Sequence, residues 1–163
     1  MSLDKDAVLK PLYVPAGDGE SVWAFAGDRY TVKASAPDTG GAASVLEAVI
    51  PPDSGPPLHV HRGEDEAFYL LQGELEMATG ETTFVATPGS FVFVPTGAPH
   101  TFRNCGGDMA KLLFLLAPGG FERFFLEVGT PVSESSSPPP PEQYAADVDH
   151  AMRVANKYGM YAV

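Results

Sequence analysis

The stretch Pro56-Pro57-Leu58-His59-Val60-His61-Arg62-Gly63-Glu64-Asp65-Glu66-Ala67-Phe68-Tyr69-Leu70-Leu71-Gln72-Gly73 opens on a proline pair and closes on glycine. Prolines stop helices, so the histidines that follow are read on extended backbone. There, side chains two residues apart share a face, and His59 and His61 project to the same side. Beyond the turn-like Arg62-Gly63-Glu64-Asp65, Glu66 opens a second strand. Phe68 and Leu70 share the face of Glu66, while Ala67, Tyr69 and Leu71 take the other. Two imidazoles on one face with a nearby carboxylate form part of a coordination set for a divalent transition metal. A lone His-x-His is weak evidence, because strand histidines are commonly solvated or held by ordinary hydrogen bonds. His100 supplies a third imidazole if the tight turn Pro95-Thr96-Gly97-Ala98-Pro99 leads it in from another strand.

Outward from this stretch the chain keeps the same texture. Ser21–Phe25, Arg29–Lys33, Ala43–Ile50, Glu66–Leu71, Glu74–Ala78, Thr82–Ala86, Phe91–Val94, His100–Arg103 and Lys111–Leu116 read as short strands. Gly27-Asp28, Gln72-Gly73, Thr79-Gly80 and Pro88-Gly89 break the chain between them. With 17 Gly and 16 Pro in 163 residues, that pattern predicts a β sandwich or barrel and argues against a helix bundle.

The last third changes period. Phe121, Phe124, Phe125 and Val128 form one apolar stripe of a short helix that Gly129 and Pro131 stop. A Pro/Ser linker follows, partly polyproline II and exposed. Tyr144, Val148, Ala151, Met152, Ala155 and Tyr158 then return to helical spacing, predicting a helix from about Glu142 to Lys157 docked on the β domain. The expected organisation is an N-terminal arm over 1–20, a β-barrel over 21–118 and a short helix over 119–130. A linker over 131–141 and a C-terminal helix and tail over 142–163 complete it.

Two spacings carry a family resemblance. His59-x-His61-x4-Glu66-x6-Gly73 resembles the first motif of the cupin superfamily, and Gly89-x5-Pro95-x-Gly97-x2-His100-x3-Asn104 matches the second at every defined position. One departure is visible: the first motif usually places glycine six residues before its first histidine, where this chain has Asp53, with Gly55 two residues later. Thr39-Gly40-Gly41, Glu47, the stretch from Pro56 to Glu74 and Pro118-Gly119-Gly120-Phe121-Glu122 resemble the small single-domain cupins called quercetin 2,3-dioxygenase-like. The resemblance implies an all-β fold, a single cupin barrel (double-stranded β-helix, or jelly roll) with C-terminal helices. It further implies one divalent transition metal ion, whether Fe, Mn, Ni, Co, Cu or Zn, held by His59, His61, Glu66 and His100.

On that reading Phe68, Leu70 and Phe102 form an apolar substrate pocket, and Glu66 doubles as the catalytic base. The implied activity is a metal-dependent dioxygenase acting on a small enolic or phenolic, flavonol-like compound with O2. The alternatives are a non-oxidative isomerase or lyase using the metal as a Lewis acid, and a metal-anchored binding or sensing module.

Composition bounds the partners. With 10 Lys+Arg against 21 Asp+Glu the net charge is −11, which repels phosphate backbones, so no nucleic-acid partner is expected. The longest apolar run, Leu112–Ala117, is too short to cross a bilayer, and Met1-Ser2-Leu3-Asp4-Lys5-Asp6 lacks the apolar stretch of a signal peptide. The single cysteine, Cys105, suits a reducing cytoplasm. A homodimer paired through N-terminal strands is expected. Glu64 and Asp65 near the pocket mouth read by default as solvated carboxylates, with the ordering of a loop as the alternative, and His150 as a solvated helix residue.

Overall fold

The computed structural model describes residues 8–25 and 27–163, so Met1–Ala7 of the expected arm lie outside it. Ten strands follow one another before the first helix: β1 Glu20–Ala24, β2 Asp28–Ala34, β3 Ser44–Ile50, β4 His59–His61, β5 Asp65–Gln72, β6 Leu75–Thr79, β7 Thr82–Ala86, β8 Phe91–Val94, β9 His100–Asn104 and β10 Ala110–Ala117. Helix α1 spans Glu122–Val128, β11 is the pair Thr130–Pro131, α2 spans Tyr144–Ala155, and β12 is Met160–Ala162.

The strands form two antiparallel sheets, ordered β11-β1-β2-β3-β10-β5-β8 and β12-β4-β9-β6-β7. This is the jelly-roll architecture of cupins. The sheets do not close into one continuous barrel: β7 and β8 are edge strands of different sheets and are joined by a loop, not by a hydrogen-bonded ladder. Period-2 alternation decides which side chains enter between the sheets. Leu46, Phe68, Leu70, Leu112, Phe114 and Leu116 of the larger sheet and Leu75, Met77 and Phe102 of the smaller one are all buried. Helix α1 closes one end of this core with Phe121, Phe124 and Phe125, and α2 packs behind it through Ala151 and Ala155.

Two loop features fix the entry to β4. Asp53 adopts φ +65, the left-handed region that glycine favours and aspartate tolerates, so the chain keeps the backbone path for which the motif usually uses glycine. At Gly55 a Cβ would lie 1.8 Å from the carbonyl oxygen of Phe102, so only glycine lets the loop pass over β9. Asn104 is fully buried and ties the neighbouring turns: its Nδ2 donates to the carbonyls of Ile50 and Asp108, both at 2.8 Å, and its Oδ1 accepts from Gly106 N at 3.0 Å.

The C-terminal tail does more than dock a helix. Gly159, at φ +82, ends a 3-10 turn and sends the chain into β12, which pairs with β4 in the register Met160–His61, Tyr161–Val60 and Ala162–His59. Arg62 N donates to Gly159 O at 2.9 Å, and the Arg62 guanidinium lies 4.5 Å from the centre of the Tyr161 ring. Among the described residues no helix is long and apolar enough to cross a membrane.

Candidate metal centre

Alternation places His59 and His61 on the inner face of β4, with His100 of β9 directly opposite His59 across the antiparallel pair. Glu66 enters from β5, in the other sheet. The four side chains therefore bridge both layers of the sandwich, and one ligand atom from each lies within 4.8 Å of all the others. All four are buried, with relative exposures of 1–4%.

The hydrogen bonds around them orient the donors. His59 Nδ1 lies 2.8 Å from Pro57 O, His100 Nδ1 3.0 Å from Ala98 O, and His61 Nδ1 2.5 Å from Glu64 Oε1. Each partner accepts only, so each Nδ1 carries the proton and each Nε2 offers a lone pair. Two of these Nε2 atoms, of His100 and His61, stand 2.9 and 3.1 Å from Glu66 Oε2. Lone pairs on nitrogen and on carboxylate oxygen then converge with no donor between them. A cation, or an added proton, is what such an arrangement requires. Three borderline imidazoles and one carboxylate suit a divalent transition metal, and they leave coordination positions open on a five- or six-coordinate ion.

Without a cation, protons take that role. Burial opposes charge on His61, but its hydrogen bonds to Glu64 and Glu66 outweigh this and hold its pKa at about 9. Burial alone would raise Glu66, yet His100 and His61 pull its pKa to about 2. Burial, reinforced by His100, lowers His59 to about 4. The cluster thus gathers positive charge between its carboxylates even when only protons are available.

Beside the cluster is a cavity of about 40 Å3 lined by Phe68, Phe102, Phe114, Phe121, Tyr30 and Met160 among others, together with His59, His61 and Glu66. Phe68 and Phe102 are thus among the residues that line it. Leu70 does not line this cavity: it shares the face of Glu66 but lies two pleats further along β5, buried in the core at 2% exposure.

Two features are not legible in the sequence. Glu64, read as solvated, is 7% exposed and bonded to His61, because the turn 62–64 folds its side chain back against β4. Met160 and Phe121 reach the site from the C-terminal third, Phe121 edge-on to His61 with ring centres 4.6 Å apart. The Asp65 carboxylate is exposed, as the sequence leads one to expect, and its Oδ1 accepts from Thr96 N and Oγ1 at 2.8 and 2.9 Å, tying β5 to the turn that delivers His100. His150 is exposed on α2 and takes no part.

Comparison with known proteins agrees with this geometry. The Cupin domain family matches residues 46–116, a span that contains all four clustered residues. A quercetin 2,3-dioxygenase of Bacillus subtilis is 28% identical over 138 residues, covering 84% of this chain and 40% of that protein. The polyketide synthase CurC of Streptomyces cyaneus is 31% identical over 84 residues, covering 50% of this chain and 54% of its own length. The chain therefore spans about half the length of these curated relatives. Among solved structures, KdgF from Halomonas sp. superposes with a TM-score of 0.63 at 14% identity, over 70% of this chain and 99% of that one. An RmlC-like cupin from Shewanella frigidimarina does so with a TM-score of 0.59 at 15% identity, over 71% and 99%. At such identities the likeness shows the fold alone. From the fold and the family match together, residues 46–116 of this chain form a Cupin domain.

Proposed function

We propose that this protein is a metal-dependent dioxygenase acting on a small enolic or phenolic compound with O2, and that it works in the cytoplasm as a homodimer. The observation that carries the reading is the meeting of three imidazoles and the Glu66 carboxylate at one end of an aromatic cavity. The quercetin 2,3-dioxygenases of Bacillus subtilis and Aspergillus japonicus, 28% and 30% identical over the matched spans, lend the activity its name.

A divalent transition metal held by His59, His61, Glu66 and His100 would supply Lewis acidity and open positions for oxygen-donor ligands. The chain's own groups do the rest. Glu66, with its carboxylate at the cavity end, accepts the proton of the substrate hydroxyl. Phe68 and Phe102 grip the planar part of the substrate and keep water from the reacting end, with Leu70 backing the wall from the core. Nδ1 contacts to Pro57, Ala98 and Glu64 hold the three rings in place through the cycle. A cavity of about 40 Å3 holds a few waters, so a compact enol enters with less wall movement than a three-ring flavonol.

The test is oxygen uptake by protein stripped of metal and reloaded with Fe, Mn, Co, Ni, Cu or Zn in turn. A panel of enols and phenols that includes a flavonol serves as substrate. Uptake that depends on the metal and collapses in Glu66→Gln supports the reading. Absence of metal-dependent uptake across the panel overturns it, and turnover under anaerobic conditions replaces it with the isomerase or lyase alternative.

A further inference from the structure

The outer face of the larger sheet breaks the alternation that protects the rest of the surface. Strand register places two rows of side chains across four neighbouring strands on this side. One row is Phe93, Ala67, Leu115 and Val45; the next is Phe91, Tyr69, Leu113 and Glu47. An outward-facing strand position in a protein with water on that side is normally polar. Here Phe91 is 65% exposed, Phe93 56%, Tyr69 44% and Leu115 44%. At roughly 200 Å2 for a full aromatic side chain, the three rings alone leave about 300 Å2 in water. That already matches the largest apolar patches monomers keep open, and it is a substantial part of the roughly 800 Å2 each partner brings to a standard interface.

Charge says what covers it. The chain carries −11, so most approaches of one copy to another are repelled. This face is the exception. Glu47 at its margin is paired with Lys111 at 3.3 Å, and the Asp65 carboxylate is taken up by Thr96. Asp65 keeps its charge at the margin while the apolar rows carry none, so a basic partner finds little attraction here and a second copy little repulsion. The other route to pairing, through the N-terminal strands, is obstructed at β1, whose outer edge is occupied by β11 in the register Val22–Pro131 and Trp23–Thr130.

We infer that the β3-β10-β5-β8 face is the self-association surface of this protein, two copies packing sheet on sheet about a two-fold axis with Phe91, Phe93 and Tyr69 at its centre. The contact is isologous, so each aromatic anchor acts in both copies. It does not depend on the metal or on the reaction proposed above.

Light scattering and sedimentation equilibrium on the whole chain test the inference, from low to about 100-fold higher micromolar concentration. Wild-type protein is expected at a two-chain mass, with association strengthening as salt screens the −11 charge. Phe93→Glu sets like charges against one another in the contact and is expected to weaken the dimer at least about 100-fold. Phe91→Ser, at the most exposed of the four apolar positions, is the second variant and loses association without disturbing the fold, checked by an unchanged circular dichroism spectrum. A single-chain mass at every concentration overturns the inference. So does a dimer that survives both substitutions, or one lost instead on Tyr13→Glu in the exposed N-terminal arm.

Discussion

Glu64 Oε1 stands 2.5 Å from His61 Nδ1, and both side chains are buried. The other two imidazoles of the cluster lean on backbone carbonyls, of Pro57 and Ala98. A carboxylate behind an imidazole raises its basicity at Nε2 and fixes the ring, so His61 is the strongest nitrogen donor of the three.

Glu64→Gln keeps an acceptor near Nδ1 and removes its charge. Divalent-metal affinity is expected to fall about 10- to 100-fold, with the fold intact. Calorimetric titration with Co or Zn measures it, and equal affinity in the two proteins would remove Glu64 from the site.

A cation that binds only the folded protein stabilises it by mass action. At about 100 times its dissociation constant this amounts to about 2.7 kcal/mol. For a chain of this size the melting temperature then rises by about 5–10 °C. Chelation is expected to reverse the rise, and His100→Ala to abolish the response. Thermal melts with and without chelator read the outcome; a melting temperature indifferent to transition metals speaks against the centre.

How far the sequence reached follows from what each signal depends on. Strand positions were legible because alternation and turn residues are local: β1 to β3 and β5 to β10 fall on or within two residues of the segments read, and β4 lies in the stretch read as extended. His59, His61, Glu66 and His100 were legible through spacing, since a single face of β4 and two motif positions suffice to name them. Glu64 was not, because its burial depends on how the turn 62–64 folds. β12 was not either: Met160–Ala162 is three residues long and its partner β4 lies about a hundred residues earlier. The stripe Phe121, Phe124 and Phe125 announced a short helix, but periodicity carries no information on which end of the core it roofs. Leu70 shows the same limit, because a shared face does not fix depth along a strand.

The loop before β4 yields a paired test. Asp53→Gly relieves the φ +65 conformation while giving up a surface ion pair with Arg103, so stability is expected within about 1 kcal/mol of the parent. Asp53→Ala loses the pair and keeps the strain, costing about 1–2 kcal/mol. Gly55→Ala drives a Cβ into the Phe102 carbonyl and is expected to cost about 3 kcal/mol. Urea denaturation ranks the three; an Asp53→Ala protein as stable as Asp53→Gly would show that the left-handed backbone imposes no strain.

Asp28 supplies a pH dependence that is separate from the metal ligands. Its carboxylate is buried, with Oδ1 accepting from Ser54 Oγ at 2.5 Å and Oδ2 from Tyr30 Oη at 3.0 Å. Burial outweighs both hydrogen bonds and raises its pKa from 3.8 to about 7. Between these two values the folded state binds the proton that the unfolded state has released. The unfolded state binds fewer protons there, so Asp28 makes stability fall as pH rises through that window and leaves a constant cost above it. A shift of this size corresponds to on the order of 4 kcal/mol. Asp28→Asn retains an acceptor for one hydroxyl and cannot ionise. Its stability is therefore expected to match the parent near pH 4 and to exceed it by a growing margin up to about pH 8. Urea midpoints across that range measure the difference between the two proteins, which cancels the contribution of every other titrating group. A difference that stays constant with pH would mean that Asp28 titrates alike in both states, and that the interior around Ser54 and Tyr30 solvates its charge.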